Sequence, residues 1–171
     1  MNKTAVIYWS RTGNTEAMAK AIARGLKEGG VETALLRVRE TDVSAVERYD
    51  SFAFGCPAMG KEVLEETEFE PFFAEIERRL KDKPVALFGS YGWGDGRWMR
   101  DWQMRVIASG ASLFAQGLIF QTENPLVTKL KRVFRKDKKP DEAACLAFGK
   151  RFAAHIISGR HNINKVKEEI L

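Results

Sequence analysis

The sequence predicts an α/β fold of three layers, a five-stranded parallel sheet with helices on both faces. Short apolar runs bounded by turn residues alternate with longer stretches of helical periodicity, the pattern of repeated βαβ units. Some of those runs are apolar at nearly every position, as strands buried on both faces must be. A chain of 171 residues fits one domain around one core.

Residues 4–9 are the first expected strand, rich in the strand formers Val6, Ile7, Tyr8 and Trp9. It breaks at Ser10-Arg11-Thr12-Gly13-Asn14. From Thr15 onward Met18, Ala21, Ile22 and Leu26 recur on one helical face, and Gly29-Gly30 stops that helix. Residues 34–38 read as a second strand and 44–48 as a short helical turn. Ser51–Gly55 is a third strand, apolar on both faces. Phe69, Phe72, Phe73, Ile76 and Leu80 mark the next amphipathic helix. A fourth strand is expected at 85–88, a helix after Gly96, and a fifth strand at 111–120. A last helix over Glu142–Ser158 presents Leu146, Phe152 and Ile156. Right-handed crossovers join such units.

No apolar run approaches the roughly 18 residues that cross a bilayer. Met1-Asn2-Lys3-Thr4 leads straight into a strand-like run with no export signal. The expectation is a cytoplasmic chain without membrane association. Cys56 and Cys145 form no CxxC pair and read as two buried thiols in a reducing compartment. His155 and His161 lie away from the loops below, and neither a metal ligand nor a catalytic acid, base or nucleophile is assigned. Net charge is +5, unevenly spread. Lys129, Lys131, Arg132, Arg135, Lys136, Lys138 and Lys139 stand against Asp137 alone, a net of +6, so the rest of the chain sums to −1.

Ligands of open α/β sheets bind beyond the carboxyl ends of the strands, where strand order reverses. Three loops occupy that edge. After the first strand, Ser10, Arg11, Thr12, Gly13, Asn14 and Thr15 lead into a helix. Such a loop offers backbone N–H groups, short polar side chains and the positive end of a helix dipole, which suits a phosphate monoester. A simple helix cap is the alternative. Neither the GxxxxGK nor the GxGxxG spacing is present, which argues against ATP and NAD. After the third strand, Pro57, Ala58, Met59, Gly60, Lys61 and Glu62 place a polarizable thioether where it could lie on a flat ring, with Glu62 able to accept from a ring N–H. A tight turn with a core methionine is the alternative. After the fourth strand, Ser90, Tyr91, Gly92, Trp93 and Gly94 leave a large indole on a glycine-rich loop, costly unless it covers something flat. Together the three describe a clamp for flavin mononucleotide, FMN.

At these residues the chain resembles the flavodoxins, most closely the short-chain clostridial type. The resemblance rests on YWSRTGNTEAMA, GCPAMGKEVLEETEFEPF and ALFGSYGWGDGRWMRDW, in that order. It covers nearly all of 3–121 and resumes near 140–152. Flavodoxins are a standard illustration of the strand-edge rule, so the implied strand order 2-1-3-4-5 is taken over from them. The resemblance implies that Ser10 to Thr15 hold the phosphate and that Met59 and Trp93 cover the two ring faces. It places Glu62 near N3, and the Gly92 and Gly94 backbone at the pyrimidine edge. It further implies that the Met59–Gly60 peptide turns its carbonyl toward the flavin as the semiquinone forms. The expected function is a low-potential one-electron carrier, not an enzyme, shuttling between semiquinone and hydroquinone and working with redox partner proteins as a monomer.

Two features depart from that family. Lys61 stands where an acidic residue is usual. An insertion at about 122–140 carries Leu126, Leu130 and Phe134 at helical spacing among the basic residues. It reads either as a solvated segment or as a docking patch for an acidic redox partner, in preference to a membrane surface or nucleic acid. The expected organisation is an FMN-binding domain over 1–158 and a polar tail over 159–171. The rival functions are an FMN-dependent NAD(P)H or quinone reductase, a membrane-associated oxidase of the same fold, and a non-redox module.

Overall fold

The computed structural model describes residues 2–122 and 138–159. Leu126, Leu130, Phe134, most of the basic segment and the tail beyond 159 lie outside the described residues.

The six described strands form one parallel sheet. In it β2 (Glu32–Arg37) pairs with β1 (Lys3–Tyr8), β1 with β3 (Ser51–Gly55), and β3 with β4 (Pro84–Tyr91). The fifth position is shared by β5 (Ser112–Leu113), beside Pro84 and Val85, and β6 (Leu118–Gln121), beside Phe88 to Tyr91. The order is therefore the expected 2-1-3-4-5.

Strand alternation sorts the core into two layers. Ala5, Ile7, Phe52, Phe54, Val85 and Leu87 face α3 (Phe69–Ile76) and α4 (Arg97–Ala108), where Phe69 and Phe73 each meet Trp102 edge to face. Val6, Tyr8, Ala53, Ala86 and Phe88 face the other way, onto α1 (Asn14–Glu28) and a helix over Glu142–Ser158. A single turn, α2 (Ala45–Arg48), precedes β3, and the helix over Glu142–Ser158 is α5. Asp141 caps α5, its side chain accepting from Ala144 N.

Three expected boundaries move. The fourth strand runs on through Gly89, Ser90 and Tyr91, because β6 supplies ladder partners as far as Gln121. A Cβ at Gly89 would lie 2.2 Å from the Cys56 carbonyl, so β3 and β4 can run this close only with glycine there. The fifth strand is interrupted. Phe114 packs on Phe148 and Phe152, and Gly117 N donates to the buried Gln103 Oε1 at 2.6 Å, which draws the chain out of the ladder. Finally, the helix expected to reach Leu80 tightens to a 3₁₀ turn over Glu77–Arg79.

Candidate functional site

The carboxyl ends of β1, β3, β4 and β6 converge on a cavity of about 520 Å³, within the range of small-molecule sites. The first loop contributes Ser10, Arg11, Thr12 and Thr15; the second Pro57, Ala58 and Met59; the third Ser90, Tyr91 and Gly92. Thr122 closes the rim. Arg11 is its one charged lining residue among the described residues.

The first loop turns through Gly13 at φ 93°, a conformation only glycine adopts without strain. Gly13 is also the residue that caps α1, and no side chain caps that helix. The helix-cap alternative therefore fails, and the first-turn N–H groups of Asn14, Thr15 and Glu16 have no intrahelical acceptor. Gly13 N donates to Ser10 Oγ at 3.2 Å, and the Thr15 and Ser90 hydroxyls meet at 3.0 Å, holding the loop to β4. Glu16 would oppose an anion here. Instead a hydrogen bond from Lys20 at 2.8 Å, reinforced by Arg37 at 3.3 Å, pairs its carboxylate and holds it below the usual range.

The second loop is a closed hairpin turn. Met59 N donates to Val63 O at 2.8 Å and Val63 N returns to Met59 O at 3.0 Å, while Ala58 N donates to Ser90 O at 2.9 Å. Gly60 has φ 49°, as its place in the turn requires, and no atom lies within 4 Å of a Cβ built there. Glu62 also has positive φ, 58°. Its Oε1 accepts from Gly96 N at 2.8 Å and Arg97 N at 2.9 Å, so it caps α4 and ties the second loop to the third. Gly94 lies so close that a Cβ there would meet the Glu62 carboxylate at 2.3–2.6 Å.

Trp93 stands 56% exposed on the third loop. Tyr91, expected on that loop, is the last residue of β4, and its ring packs 5.2 Å from that of Trp98. Of the expected site residues, Gly13, Asn14, Gly60, Glu62, Trp93 and Gly94 do not line the cavity. Thr122 was not anticipated. Its N donates to Tyr91 O at 2.8 Å, and its hydroxyl would lie 3.3 Å from a Cβ at Gly92. Its place one residue past β6 is the signal that could have found it. Cys56 and Cys145 are both free and buried, and burial raises both thiols, that of Cys145 to about 11.

Behind the second loop lies a buried carboxylate, Glu65, 4% exposed. Thr67 N donates to its Oε1 at 2.8 Å, and Glu68 N and Phe69 N donate to its Oε2 at 2.9 and 2.8 Å. Burial alone would raise this carboxyl, but the Thr67 hydroxyl and the three backbone donors outweigh it and hold it below its usual range. Because the folded value is the lower one, the stability it confers is complete above the ordinary value of 4.5 and is lost as pH falls through the folded value. Glu65→Gln is expected to cost about 2–3 kcal/mol in urea unfolding at pH 7. That gap should narrow progressively below pH 4.5, and a gap that stays constant would contradict the assignment.

The sequence model of the family described as Flavodoxin matches residues 6–149. A flavodoxin of Clostridium beijerinckii is 44% identical over 150 residues, 86% of this chain and 97% of that one. A flavodoxin of Megasphaera elsdenii is 45% identical over 114 residues, 67% of this chain and 83% of that one. The solution structure of the two-electron reduced M. elsdenii flavodoxin superposes with a TM-score of 0.72 at 38% identity, covering 88% of this chain and 98% of that one.

Proposed function

The chain belongs to the flavodoxin family, and from that premise we propose that the cavity at the ends of β1, β3 and β4 holds FMN while the protein carries electrons singly between partner proteins. The observation that carries this reading is the uncapped N-terminus of α1, whose Thr15 lines the cavity beside Ser10, Arg11 and Thr12. The residues fit the group. Amides and hydroxyls suit a phosphate dianion, Arg11 adds a cation, and the cavity wall carries no carboxylate among the described residues. Ser10, Arg11, Thr12, Gly13, Asn14 and Thr15 would hold the phosphate. Met59 and Trp93 would cover the ring, with Pro57, Ala58, Gly60, Glu62, Ser90, Tyr91, Gly92 and Gly94 around its edge.

Bound FMN supplies a ring that takes up and releases single electrons, and the protein tunes and shields it. Trp93, more than half exposed on its loop, can fold its indole onto a ring and exclude water. The Met59 carbonyl accepts from Val63 N, so turning it toward the cavity exchanges one hydrogen bond for another. Glu62 holds both loops together through the α4 N-terminus.

The reductase, oxidase and non-redox readings are not favoured, since the relatives at 44% and 45% identity are flavodoxins. Anaerobic photoreduction followed by absorbance is expected to resolve two one-electron steps, with no rapid NADPH oxidation when quinone is added. Rapid NADPH oxidation with quinone would overturn the carrier assignment.

Lys61 is exposed at the tip of the Met59 turn. A cation there favours the anionic, fully reduced cofactor, so the second one-electron potential is expected to be less negative than in Lys61→Asp. The difference should be at least about 1 kcal/mol, or ~40 mV. Redox titration of both proteins checks this, and equal or reversed potentials would contradict it.

We further infer a monomeric, cytoplasmic protein with one cofactor domain over 1–158 and a tail over 159–171. No helix among the described residues is long and apolar enough to cross a membrane. An acidic redox partner docking on the basic segment is supported by its net charge and by the exposure of Lys138 and Lys139 at its described end.

A further inference from the structure

We propose that Glu65 is a positioning residue for the cofactor pocket, a buried anchor that links the Met59 turn to the entry of the phosphate loop. The inference rests on the FMN reading above. Its two connections run in opposite directions along the chain. Upstream, Glu65 N donates to Cys56 Sγ at 3.3 Å at the end of β3. Cys56 and Glu65 thus meet at the base of the segment whose tip is the Met59–Val63 hairpin, so the hairpin's height above the sheet is set by this closure. Downstream, Glu65 Oε2 accepts from Glu68 N, and Glu68 Oε2 accepts from the Trp9 indole N–H at 2.7 Å. Trp9 directly precedes Ser10, and its own N–H donates to Gly55 O at 2.9 Å. Glu68 also lines, with Trp9 and Ser10, a small cavity of about 60 Å³ next to the phosphate loop.

A carboxylate is needed for this role. Oε1 receives the Thr67 amide and hydroxyl, and Oε2 receives the Glu68 and Phe69 amides, so all four partners are donors. Glutamine keeps the volume but turns an NH₂ toward one of those pairs, whichever way the amide is set. At least one backbone amide on that side loses its acceptor inside a buried site, where unpaired donors are costly. The 65–69 turn is then no longer held from within, and it loosens together with the two contacts it carries, the backbone N–H of residue 65 on Cys56 at the base of the Met59 loop and the Glu68 side chain on Trp9.

Amide hydrogen exchange of the full-length apoprotein, with FMN titration of the same samples, tests this. In Glu65→Gln the amides of Met59 and Val63 and the Trp9 indole are expected to exchange about tenfold faster or more, while Val6 and Phe54 in the central strands keep wild-type rates. FMN affinity is expected to fall by about tenfold. Glu68→Leu leaves the backbone cap intact, so only the Trp9 indole should exchange faster, with a smaller loss of affinity. Should Glu65→Gln not fold, Thr67→Val removes one donor and is expected to move the same three groups by about threefold. Exchange that rises by one common factor across the sheet would make Glu65 a purely structural cap and overturn the proposal. So would FMN affinity equal to wild type in Glu65→Gln. A wild-type chain that fails to bind FMN would overturn the cofactor reading along with it, which separates the two failures.

Discussion

Riboflavin is expected to bind this chain at least about a hundredfold more weakly than FMN. The two ligands differ only in the phosphate, which carries roughly −1.5 to −2 charges at neutral pH in a monoester. Gly13 turns the first loop so that α1 starts with no side chain on its free amides. Those of Asn14, Thr15 and Glu16, with the Ser10, Thr12 and Thr15 hydroxyls, are the donors available to it. A hydrogen bond to a charged group contributes about 1.5–3 kcal/mol net, so two such bonds already reach the hundredfold difference. The helix dipole adds about 0.3–1 kcal/mol. Arg11 is exposed and screened, so Arg11→Gln should weaken FMN only several-fold, and less so at high salt. Parallel fluorescence titrations of the apoprotein check both. Equal affinities for riboflavin and FMN would remove the phosphate from this loop while leaving the ring site open.

Gly149→Ala is expected to destabilise the protein, although alanine in a helix interior ordinarily stabilises by about 1 kcal/mol over glycine. The reversal comes from the crossing of α1 and α5. A Cβ at Gly149 would lie 2.3 Å from Ile22 O and 3.1 Å from Gly25 Cα, and one at Gly25 would lie 2.2 Å from Leu146 O. Each glycine admits the backbone of the other helix, so nothing flexible can give way. Gly149→Val should cost at least about 3 kcal/mol, lowering the thermal midpoint by roughly 10 °C for a chain of this size. Calorimetry of the apoprotein measures it, and a midpoint equal to or above wild type would contradict the close crossing. Because α1 also follows directly on the first loop, proposed to hold the phosphate, FMN affinity should fall with it.

Much of this fold is legible because the central strands declare themselves. Phe52, Ala53 and Phe54 are apolar and every residue of Ser51–Gly55 is buried, and α1 and α5 show their faces in the spacing of Met18, Ile22 and Leu26 and of Phe152 and Ile156. The end of β4 is not legible, since Gly89-Ser90-Tyr91 has the composition of a loop and becomes strand only through β6, about thirty residues later. The split of the fifth strand depends on Gln103, a polar residue whose inward direction no local pattern reveals. In the site, the loops stood out by their glycines and hydroxyls. Thr122 and Glu65 did not, because one borders the insertion and the other looks like any glutamate in an acidic run. Glu62 was expected beside a ring N–H, and what spacing alone does not convey is that one of its oxygens is committed to the N-terminus of α4.

The most direct measurement is a fluorescence titration of FMN with the apoprotein, repeated with Trp93→Ala. One FMN per chain should be quenched on binding, and the variant should bind about tenfold or more weakly, as it should if the Trp93 indole covers the ring. FMN that stays fully fluorescent in the presence of excess wild-type apoprotein would contradict a flavin site at this sheet edge.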